Sequence, residues 1–292
     1  MPERGAAILI AAASGRALAQ AARRAGYRPL VADFFDDADT RELCAANVLV
    51  EAGLETGFSV ETLIPALESL TGHEAPCGLV YGAGFEDRPE LLEALSTRWT
   101  LLGNSPEAVR RVKDPQRLAG LCASLRIPHP EVTMRLPAGH RHWLAKRAGG
   151  SGGTHVAPAA AIRAEGEKIY YQRLTAGEPI SIQFLADGNR TQVIGVCRQW
   201  VAPAPGEPYR FGGILRPANL PPGMEDRLRQ AADAVTAACR LRGLNSIDFL
   251  VEESAYTLIE INPRPGAALD IFENEKGSLF QAHLNACAGR LP

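Results

Sequence analysis

The chain has 292 residues, of which 46% are hydrophobic and 22% charged, and its formal net charge at pH 7 is −2. That length allows two or three packed units with their own cores, and the composition is typical of a soluble globular protein. A net charge of −2 gives no excess of basic residues for binding nucleic acid or an anionic membrane. The sequence contains no run of about 18 apolar residues, so no membrane span is predicted. We therefore expect small-molecule partners, with no nucleic acid and no membrane.

Two features of the sequence indicate its compartment. The apolar run at residues 6–13 is short, follows the acidic Glu3 and precedes an amphipathic helix pattern, so it predicts a first strand and no secretory signal. The six cysteines are isolated from one another, with no CxxC spacing. Isolated cysteines favour reduced thiols in a cytosol over a disulfide framework or a zinc site. The expected location is cytoplasmic.

Residues 1–105 predict a small α/β unit. The predicted strands are 7–12, 29–33, 48–50 and 78–81, and the predicted helices are 15–25, 60–70 and 89–96. Strands that alternate with helices indicate a parallel sheet. The first strand-to-helix turn contains a single glycine, Gly15. A dinucleotide-binding fingerprint needs three glycines there, so NAD or FAD binding is disfavoured.

Ligand sites in such sheets lie beyond the carboxyl ends of the strands. Ser14, Arg16 and Asp33 occupy such ends, and so does the loop at 81–86 that finishes with Glu86. Each of these side chains has an alternative explanation, either loop solvation or helix capping. As a group they are candidates for contact with a substrate.

The next segment opens with two helix starts. Ser105 can cap a helix that has Pro106 at its first position, and Asp114 with Pro115 repeats the pattern directly after Lys113. A short strand at 101–104 precedes them. We place the first domain boundary near residue 105.

A glycine-rich loop follows a predicted strand at 142–146. Four of the residues 149–153 are glycines, with Lys146 just before them. Glycines permit positive φ and let successive backbone N–H groups converge on an anion. No Gly-Lys-Ser/Thr follows and no helix is predicted after the loop, so it is not a Walker A motif. The alternatives are a phosphate-covering flap and a flexible turn between two strands, and Lys146 favours the flap.

A mixed region comes next. The predicted strands are 168–174, 180–185 and 191–198, and Asp187-Gly188-Asn189 is a strong hairpin signal between the last two. Arg216 follows a proline-rich loop and is either a substrate contact or a solvated side chain. Helices are predicted at 224–240, with five apolar residues on one face that is typical of a core helix, and at 278–288.

Residues 246–252 and 256–262 alternate apolar and polar side chains around a short polar turn, which predicts a β-hairpin. If the turn centres on Ser254, one face pairs residue 247 with 261, 249 with 259 and 251 with 257. The other face pairs Asp248 with Glu260, and residue 246 with Asn262.

Two carboxylates directly opposite each other repel, so this pairing destabilises an ordinary sheet. A divalent cation would compensate, because Mg²⁺ takes oxygen ligands from one or two carboxylates and completes its shell with phosphate oxygens and water. We therefore interpret Asp248, Glu260 and Asn262 as a Mg-nucleotide site. The alternative is an exposed polar face. Arg264, which continues the alternation and can grip phosphate or carboxylate, favours the site.

The order of these parts resembles the ATP-grasp superfamily of carboxylate–amine ligases. The parts are a small α/β unit, a lysine before a helix, the segment LAKRAGGSGGTHV, a mixed region and the segment SIDFL…LIEINPRP. The resemblance covers nearly the whole chain, and its most specific parts are those two segments. Its layout is also similar to that of the tyramine–glutamate ligases of methanofuran-type cofactor biosynthesis.

The resemblance implies an N-terminal parallel α/β (pre-ATP-grasp) domain followed by a two-subdomain ATP-grasp fold. The implied units are the pre-ATP-grasp domain at 1–105, a small α+β subdomain with the flap at 106–171, and a large α+β subdomain with the metal hairpin at 172–292. A homodimer is compatible with the family, and the sequence shows no interface signature.

The resemblance also implies roles for individual residues. Lys113 and Lys146 would neutralise the phosphates of ATP, and Arg264 would stabilise the transferring phosphoryl group. Asp248, Glu260 and Asn262 would hold one or two Mg²⁺ ions, for which Mn²⁺ can substitute. The backbone that would cover the phosphates is that of Gly150, Ser151, Gly152 and Gly153.

The implied nucleotide contacts depart from the family pattern in one region. Tyr171, Gln172, Arg173 and Leu174 match the segment that clamps adenine by main-chain hydrogen bonds, although many members have an acid where Gln172 stands. The acid that contacts ribose would align near residue 179, and Glu178 is displaced from it by one position.

The family reaction has two steps. A carboxylate attacks the γ-phosphate of ATP to give an acylphosphate and ADP, and an amine then displaces phosphate to form an amide. Phosphoryl transfer needs positioning and charge neutralisation, with no protein nucleophile. The open alternatives are a kinase or acylphosphate-forming enzyme without an amide product, and a non-catalytic nucleotide-binding module. The substrate candidates, by position alone, are Ser14, Arg16, Glu86 and Arg216.

Overall fold

The computed structural model describes residues 5–51, 56–72, 75–161, 168–266, 269–273 and 278–292. In these ranges the strands form three sheets, one parallel and two largely antiparallel. The mixed α/β and α+β class predicted from the sequence is confirmed. No helix in the described part of the chain is long and apolar enough to cross a membrane.

The N-terminal unit is a parallel sheet in the order β3-β2-β1-β4. Its strands are β1 (Ala7–Ala11), β2 (Arg28–Asp33), β3 (Ala46–Leu49) and β4 (Leu79–Tyr81), and its helices are α1 (Arg16–Arg24), α2 (Ala38–Leu43), α3 (Val60–Thr71) and α4 (Pro89–Ser96). Every residue of β1 is buried, as its uninterrupted apolar run predicts. The strand predicted at 101–104 is reduced to a single bridge between Leu79 and Leu101.

Two helices lead out of this unit, α5 (Pro106–Lys113) and α6 (Pro115–Leu125). Ser105 and Asp114 cap them as the sequence predicts, because their side chains accept hydrogen bonds from first-turn N–H groups. The apolar faces of both helices join the core of the large sheet described below. Lys113 is the last residue of α5, so the cap at Asp114 fixes the point from which this lysine extends.

The small sheet has the order β5-β8-β6-β7. Its strands are β5 (Val132–Thr133), β6 (Trp143–Arg147), β7 (Val156–Pro158) and β8 (Ile169–Arg173). The glycine-rich loop connects the antiparallel strands β6 and β7. The boundary expected between residues 171 and 172 falls inside β8.

The large sheet has the order β11-β10-β9-β12-β13. Its strands are β9 (Glu178–Asp187), β10 (Thr191–Val201), β11 (Phe211–Leu215), β12 (Arg242–Val251) and β13 (Tyr256–Asn262), and its helices are α7 (Met224–Cys239), α8 (Leu269–Phe272) and α9 (Leu279–Cys287). Helix α7 covers one face together with α5 and α6. On the other face α9 packs between the sheet and α1 of the N-terminal unit. The part of that face left uncovered by α9 holds the polar residues of the hairpin.

The register of the β12–β13 hairpin differs from the prediction in its outer half. Residues 246, 247 and 248 pair with 262, 261 and 260 as predicted, but Phe249 pairs with Leu258 and Val251 with Tyr256. The predicted partners, Ile259 and Thr257, are therefore wrong. A β-bulge adds Ile259 to β13, which keeps Phe249 and Leu258 fully buried in the core while Ile259 lines a cavity.

Candidate active site

A cavity of about 480 Å³ lies between the small and large sheets. Its walls come from strands β6, β8, β9, β10, β12 and β13, and the glycine-rich loop also borders it. A volume of this size is typical of small-molecule sites. Lys146, Gln172, Asp248, Glu260, Asn262 and Arg264 all line it. The structure therefore brings together the residues that the sequence places on four separate elements.

Asp248 is held by three donors on β9, β10 and β13 of the same sheet. The Ser181 hydroxyl donates to Asp248 Oδ1 over 2.6 Å, and the Gln199 amide donates to the same oxygen over 3.1 Å. Asn262 Nδ2 donates to Asp248 Oδ2 over 3.0 Å. These bonds fix the orientation of the carboxylate within the cavity.

Lys113 approaches the same polar face from the end of α5. Its Nζ lies 2.6 Å from Glu260 Oε1 and 2.9 Å from Asn262 Oδ1. Its side chain is 7% exposed. The two oxygens predicted as metal ligands thus already face a cationic group, and an ion pair this short is charge-assisted.

The two carboxyls have opposite pKa shifts. Burial and the nearby Glu260 charge raise the pKa of Asp248 to about 6. Burial alone would raise the pKa of Glu260 too, but Lys113 and Lys146 outweigh it and lower that pKa to about 2. When two acids lie close together in a buried site, the charge of one disfavours ionisation of the other and raises its pKa. A further cation at this face would favour both ionised forms.

The donor set suits Mg²⁺. Within the described ranges, no group of three or more His, Cys, Asp or Glu side chains could hold a metal ion by itself. Here two carboxylates and one amide oxygen converge, which leaves the remaining positions of an octahedral shell for phosphate oxygens and water. Asp248, Glu260 and Asn262 would hold the ion.

Lys146, on β6, lines the cavity and is 6% exposed. Its Nζ donates to Gln172 Oε1 on the adjacent strand over 3.2 Å. Burial lowers the pKa of Lys146, while Glu260 and Asp248 oppose that shift. The hydrogen-bond partner of Lys146 at position 172 is thus a neutral amide, while Glu260 and Asp248 act on the ammonium through space.

The glycine-rich loop is folded down onto the large sheet. The Phe211 N–H donates to the Gly152 carbonyl over 2.8 Å. Gly149, Gly152 and Gly153 have φ values of 78°, 66° and 72°. A Cβ on Gly153 would lie 1.9 Å from the Tyr209 carbonyl oxygen. Glycine is therefore required for this closed conformation.

Arg264 follows β13 and is held from the N-terminal unit. Its Nε donates to Glu86 Oε1 over 2.8 Å. The Glu86 side chain is buried at 3% exposure, and that of Arg264 is partly buried at 13%. The other Glu86 oxygen accepts the N–H groups of Gly84 and Phe85. The structure places both Glu86 oxygens on protein partners, and its predicted contact with a substrate stays a prediction.

Three other predicted substrate residues do not line the cavity. Ser14 is exposed, and Arg16 lies 3.7 Å from Asp39 on the surface. Arg216 stacks on the Phe272 ring at 4.3 Å and donates to the Ile271 carbonyl, so it fastens α8 to the large sheet.

Some of the groups predicted to contact adenine and ribose are bonded to other protein groups. The N–H groups of Arg173 and Leu174 donate to the carbonyls of Glu131 and His142 within the small subdomain. Glu178 forms an ion pair with Arg198 at 2.6 Å, with both side chains nearly half exposed, and does not line the cavity. The side chains of Gln172, Arg173 and Leu174 do line it.

Sequence reasoning missed three cavity residues. Ser181 and Gln199 lie on adjacent antiparallel strands, and the alternation on β9 and β10 could have placed them on the face of Asp248. His155 lies just after the glycine-rich loop, and a Cβ on Gly150 would lie 2.1 Å from its ring. Its contact with Gly150 gave no signal in the sequence.

Comparisons with known proteins agree with this geometry. A family model described as an ATP-grasp domain matches residues 117–268. The carbamoyl phosphate synthase large chain of Deinococcus radiodurans is 23% identical over 220 residues, which are 67% of this chain and 21% of that protein. The chain thus spans about a fifth of the length of this relative.

Solved structures show the same fold. Biotin carboxylase from Campylobacter jejuni matches with a TM-score of 0.77 at 17% identity, over 98% of this chain and 72% of that one. The biotin carboxylase domain of 2-oxoglutarate carboxylase from Hydrogenobacter thermophilus, in complex with MgADP, ADP and bicarbonate, matches with a TM-score of 0.75 at 12% identity. That match covers 100% of this chain and 71% of the other.

Proposed function

The chain belongs to the ATP-grasp family, and from that premise we propose that it is an ATP-dependent carboxylate–amine ligase. It would activate a small-molecule carboxylate as an acylphosphate and join it to an amine. The observation that supports this most is the convergence of Asp248, Glu260, Asn262 and Lys146 on one cavity. Lys113 adds a second positive charge there, because its Nζ bonds to Glu260 and Asn262.

The first step is a phosphoryl transfer. A carboxylate oxygen bonds to the γ-phosphorus as the bond from that phosphorus to the β–γ bridging oxygen breaks, and ADP leaves. Bound Mg²⁺ would supply charge neutralisation at the phosphate oxygens. Lys146 and Lys113 hold positive charge at the same oxygens, and Arg264 binds the transferring group. Both lysines are nearly buried, which strengthens these interactions relative to water.

The second step forms the amide. The amine nitrogen bonds to the acyl carbon, phosphate leaves, and the nitrogen loses a proton. The glycine-rich loop, bonded through Gly152 to Phe211, keeps water from the acylphosphate while it waits for the amine. Hydrolysis would otherwise consume the intermediate.

The substrates are assigned to classes only. Bicarbonate belongs among the candidate carboxylates, because one structural relative was crystallised with it. The predicted similarity to tyramine–glutamate ligases and to a methanofuran-type pathway stays a prediction, as none of the three relatives reported above carries that activity in its name.

The test is the release of ADP and phosphate from Mg-ATP with a panel of carboxylates, including bicarbonate, and amines, given singly and in pairs. Release that requires one member of each class, with stoichiometric amide formation, is expected. Release with a carboxylate alone and no amide would indicate an acylphosphate-forming kinase. Mg-ATP binding without release for any pair would favour a nucleotide-binding module, although Asp248, Glu260 and both lysines are retained.

A further inference from the structure

We propose that Glu86 is a positioning residue through which the N-terminal unit sets the catalytic arginine, Arg264. This inference rests on the proposed function, because it gives Arg264 a role in phosphoryl transfer. Glu86 belongs to the loop after β4, and Arg264 lies 178 positions later, after β13. The contact therefore joins the parallel sheet directly to the reaction site.

The Glu86 carboxylate is fixed before it meets the arginine. Its Oε2 accepts the N–H groups of Gly84 at 2.7 Å and Phe85 at 3.0 Å. Phe85 is 1% exposed, and its ring packs against Phe58 and Tyr81 at centroid distances of 5.1 and 5.5 Å. A carboxylate bound on one side by backbone groups of a packed loop has little freedom left. Its second oxygen, Oε1, is then aimed at Arg264 Nε.

The backbone before Arg264 is held by the same unit. Asn104, which is fully buried, donates from Nδ2 to the Pro263 carbonyl over 2.9 Å and to Asn245 Oδ1 over 2.7 Å. Tyr81 donates its hydroxyl proton to the Asn104 carbonyl over 2.8 Å. The N-terminal unit thus holds the 263–264 segment at two points, one on the backbone and one on the side chain.

This arrangement leaves the two Nη groups of Arg264 for interactions in the cavity. Glu86 engages Nε, and the side chain of Arg264 lines the cavity wall. Gly266 keeps room for the guanidinium, since a Cβ there would lie 3.0 Å from Nη1. An arginine pinned at Nε presents its two Nη groups in a set direction, which is the preorganisation that stabilises developing charge.

The test compares wild type with Glu86→Gln, which cannot accept from both the loop N–H groups and Arg264. The kcat for substrate-dependent ATP cleavage should fall by at least about tenfold. The KM for ATP and the MgADP Kd, measured by calorimetry, should change by less than about threefold. In ¹⁵N NMR spectra the Arg264 Nε–H signal, assigned by its loss in Arg264→Lys, should exchange slowly with water in wild type and rapidly in the variant.

Two further variants complete the test. Glu86→Asp keeps the charge but is one methylene shorter, so it covers the case in which Glu86→Gln does not fold, and it should show the same loss of kcat. Glu93→Gln removes an exposed ion pair with Arg110 in the same unit and should change nothing.

An unchanged kcat in both Glu86 variants would overturn the proposal, and so would a rapidly exchanging Arg264 signal in wild type. Absence of ATP cleavage by wild type with every substrate pair would count against the proposed function alone. The exchange of the Arg264 signal would then still decide whether Glu86 holds the guanidinium.

Discussion

At the residue scale, the site depends on two acids that a sheet would normally keep apart. Asp248 and Glu260 occupy directly paired positions on β12 and β13. The cost of pairing like charges is offset by Lys113 on Glu260 and by three neutral donors on Asp248. Because these partners offset the repulsion, both positions can keep a carboxyl side chain.

Asp248→Asn should abolish most of the Mg²⁺ dependence of nucleotide binding. The change is nearly isosteric, but it removes one of the two carboxylates of the proposed metal site. The ADP affinity gained on adding Mg²⁺ should fall by at least about tenfold, as measured by calorimetry with and without the metal. Asp226→Asn, on the exposed face of α7, is the control and should keep the full Mg²⁺ effect. An undiminished Mg²⁺ effect in Asp248→Asn would contradict the metal assignment.

Lys146→Met should weaken nucleotide binding. A buried ammonium that interacts with phosphate contributes about 1.5–3 kcal/mol, which is roughly a ten- to hundredfold change in Kd. The matched control is Arg141→Met, since Arg141 is exposed on the short 3₁₀ turn before β6. If ADP binds Lys146→Met as tightly as it binds wild type, the lysine does not contact phosphate.

At the element scale, local patterns in the sequence were enough for the strands and helices but not for their contacts. Alternation placed Asp248, Glu260 and Asn262 on one face. It could not predict the bulge at Ile259, because that extra residue is set by the packing of Phe249 and Leu258 in a core shared with α5, α6 and α7. The position of Glu86 in the loop after β4 predicts a role at a site, but its partner, Arg264, lies too far along the chain for any local pattern to reveal.

The glycine-rich loop offers a paired test of flap closure. Gly152 and Gly153 both have positive φ, but a Cβ on Gly152 would meet nothing within 4 Å, whereas one on Gly153 would strike the Tyr209 carbonyl. Alanine costs about 1–2 kcal/mol of backbone strain at either position. Only Gly153→Ala should also prevent docking of the loop on the β10–β11 connection.

Gly153→Ala should therefore bind MgADP at least about tenfold more weakly than Gly152→Ala, as measured by calorimetry. Thermal unfolding should show both variants similarly folded, because the loop lies outside the main cores. Equal affinities for the two variants would mean that the contact with Tyr209 has no part in holding nucleotide.

At the scale of the whole molecule, the N-terminal unit, the large sheet and α9 meet at a buried histidine. His283 accepts the Leu244 N–H at Nδ1 over 2.8 Å, and its Nε2 lies 2.9 Å from the Leu102 carbonyl. A carbonyl can only accept and a backbone N–H can only donate, so the ring is neutral with its proton on Nε2. Its exposure is 1%.

This histidine should make the stability of the folded protein pH-dependent. Burial lowers the pKa of His283 to about 4, against 6.5 for the ordinary side chain. Between these values the unfolded chain binds the proton and the folded chain does not, so stability is full above pH 6.5 and falls as the pH approaches 4. The loss reaches about 3 kcal/mol at most.

Urea unfolding at pH 7.5, 6, 5 and 4.5 would measure this dependence. Because His129 is partly buried and its pKa is likewise lowered to about 4, wild type alone cannot isolate one histidine. His283→Gln removes the titrating ring, so its unfolding free energy should fall less steeply with decreasing pH than that of wild type, whatever its absolute stability. Parallel curves for the two proteins would show that His283 is protonated as easily in the folded state as in the unfolded one. His283 would then have to carry a charge while it lies between the Leu244 N–H and the Leu102 carbonyl. A protonated Nδ1 cannot accept the Leu244 N–H, so that contact would have to change.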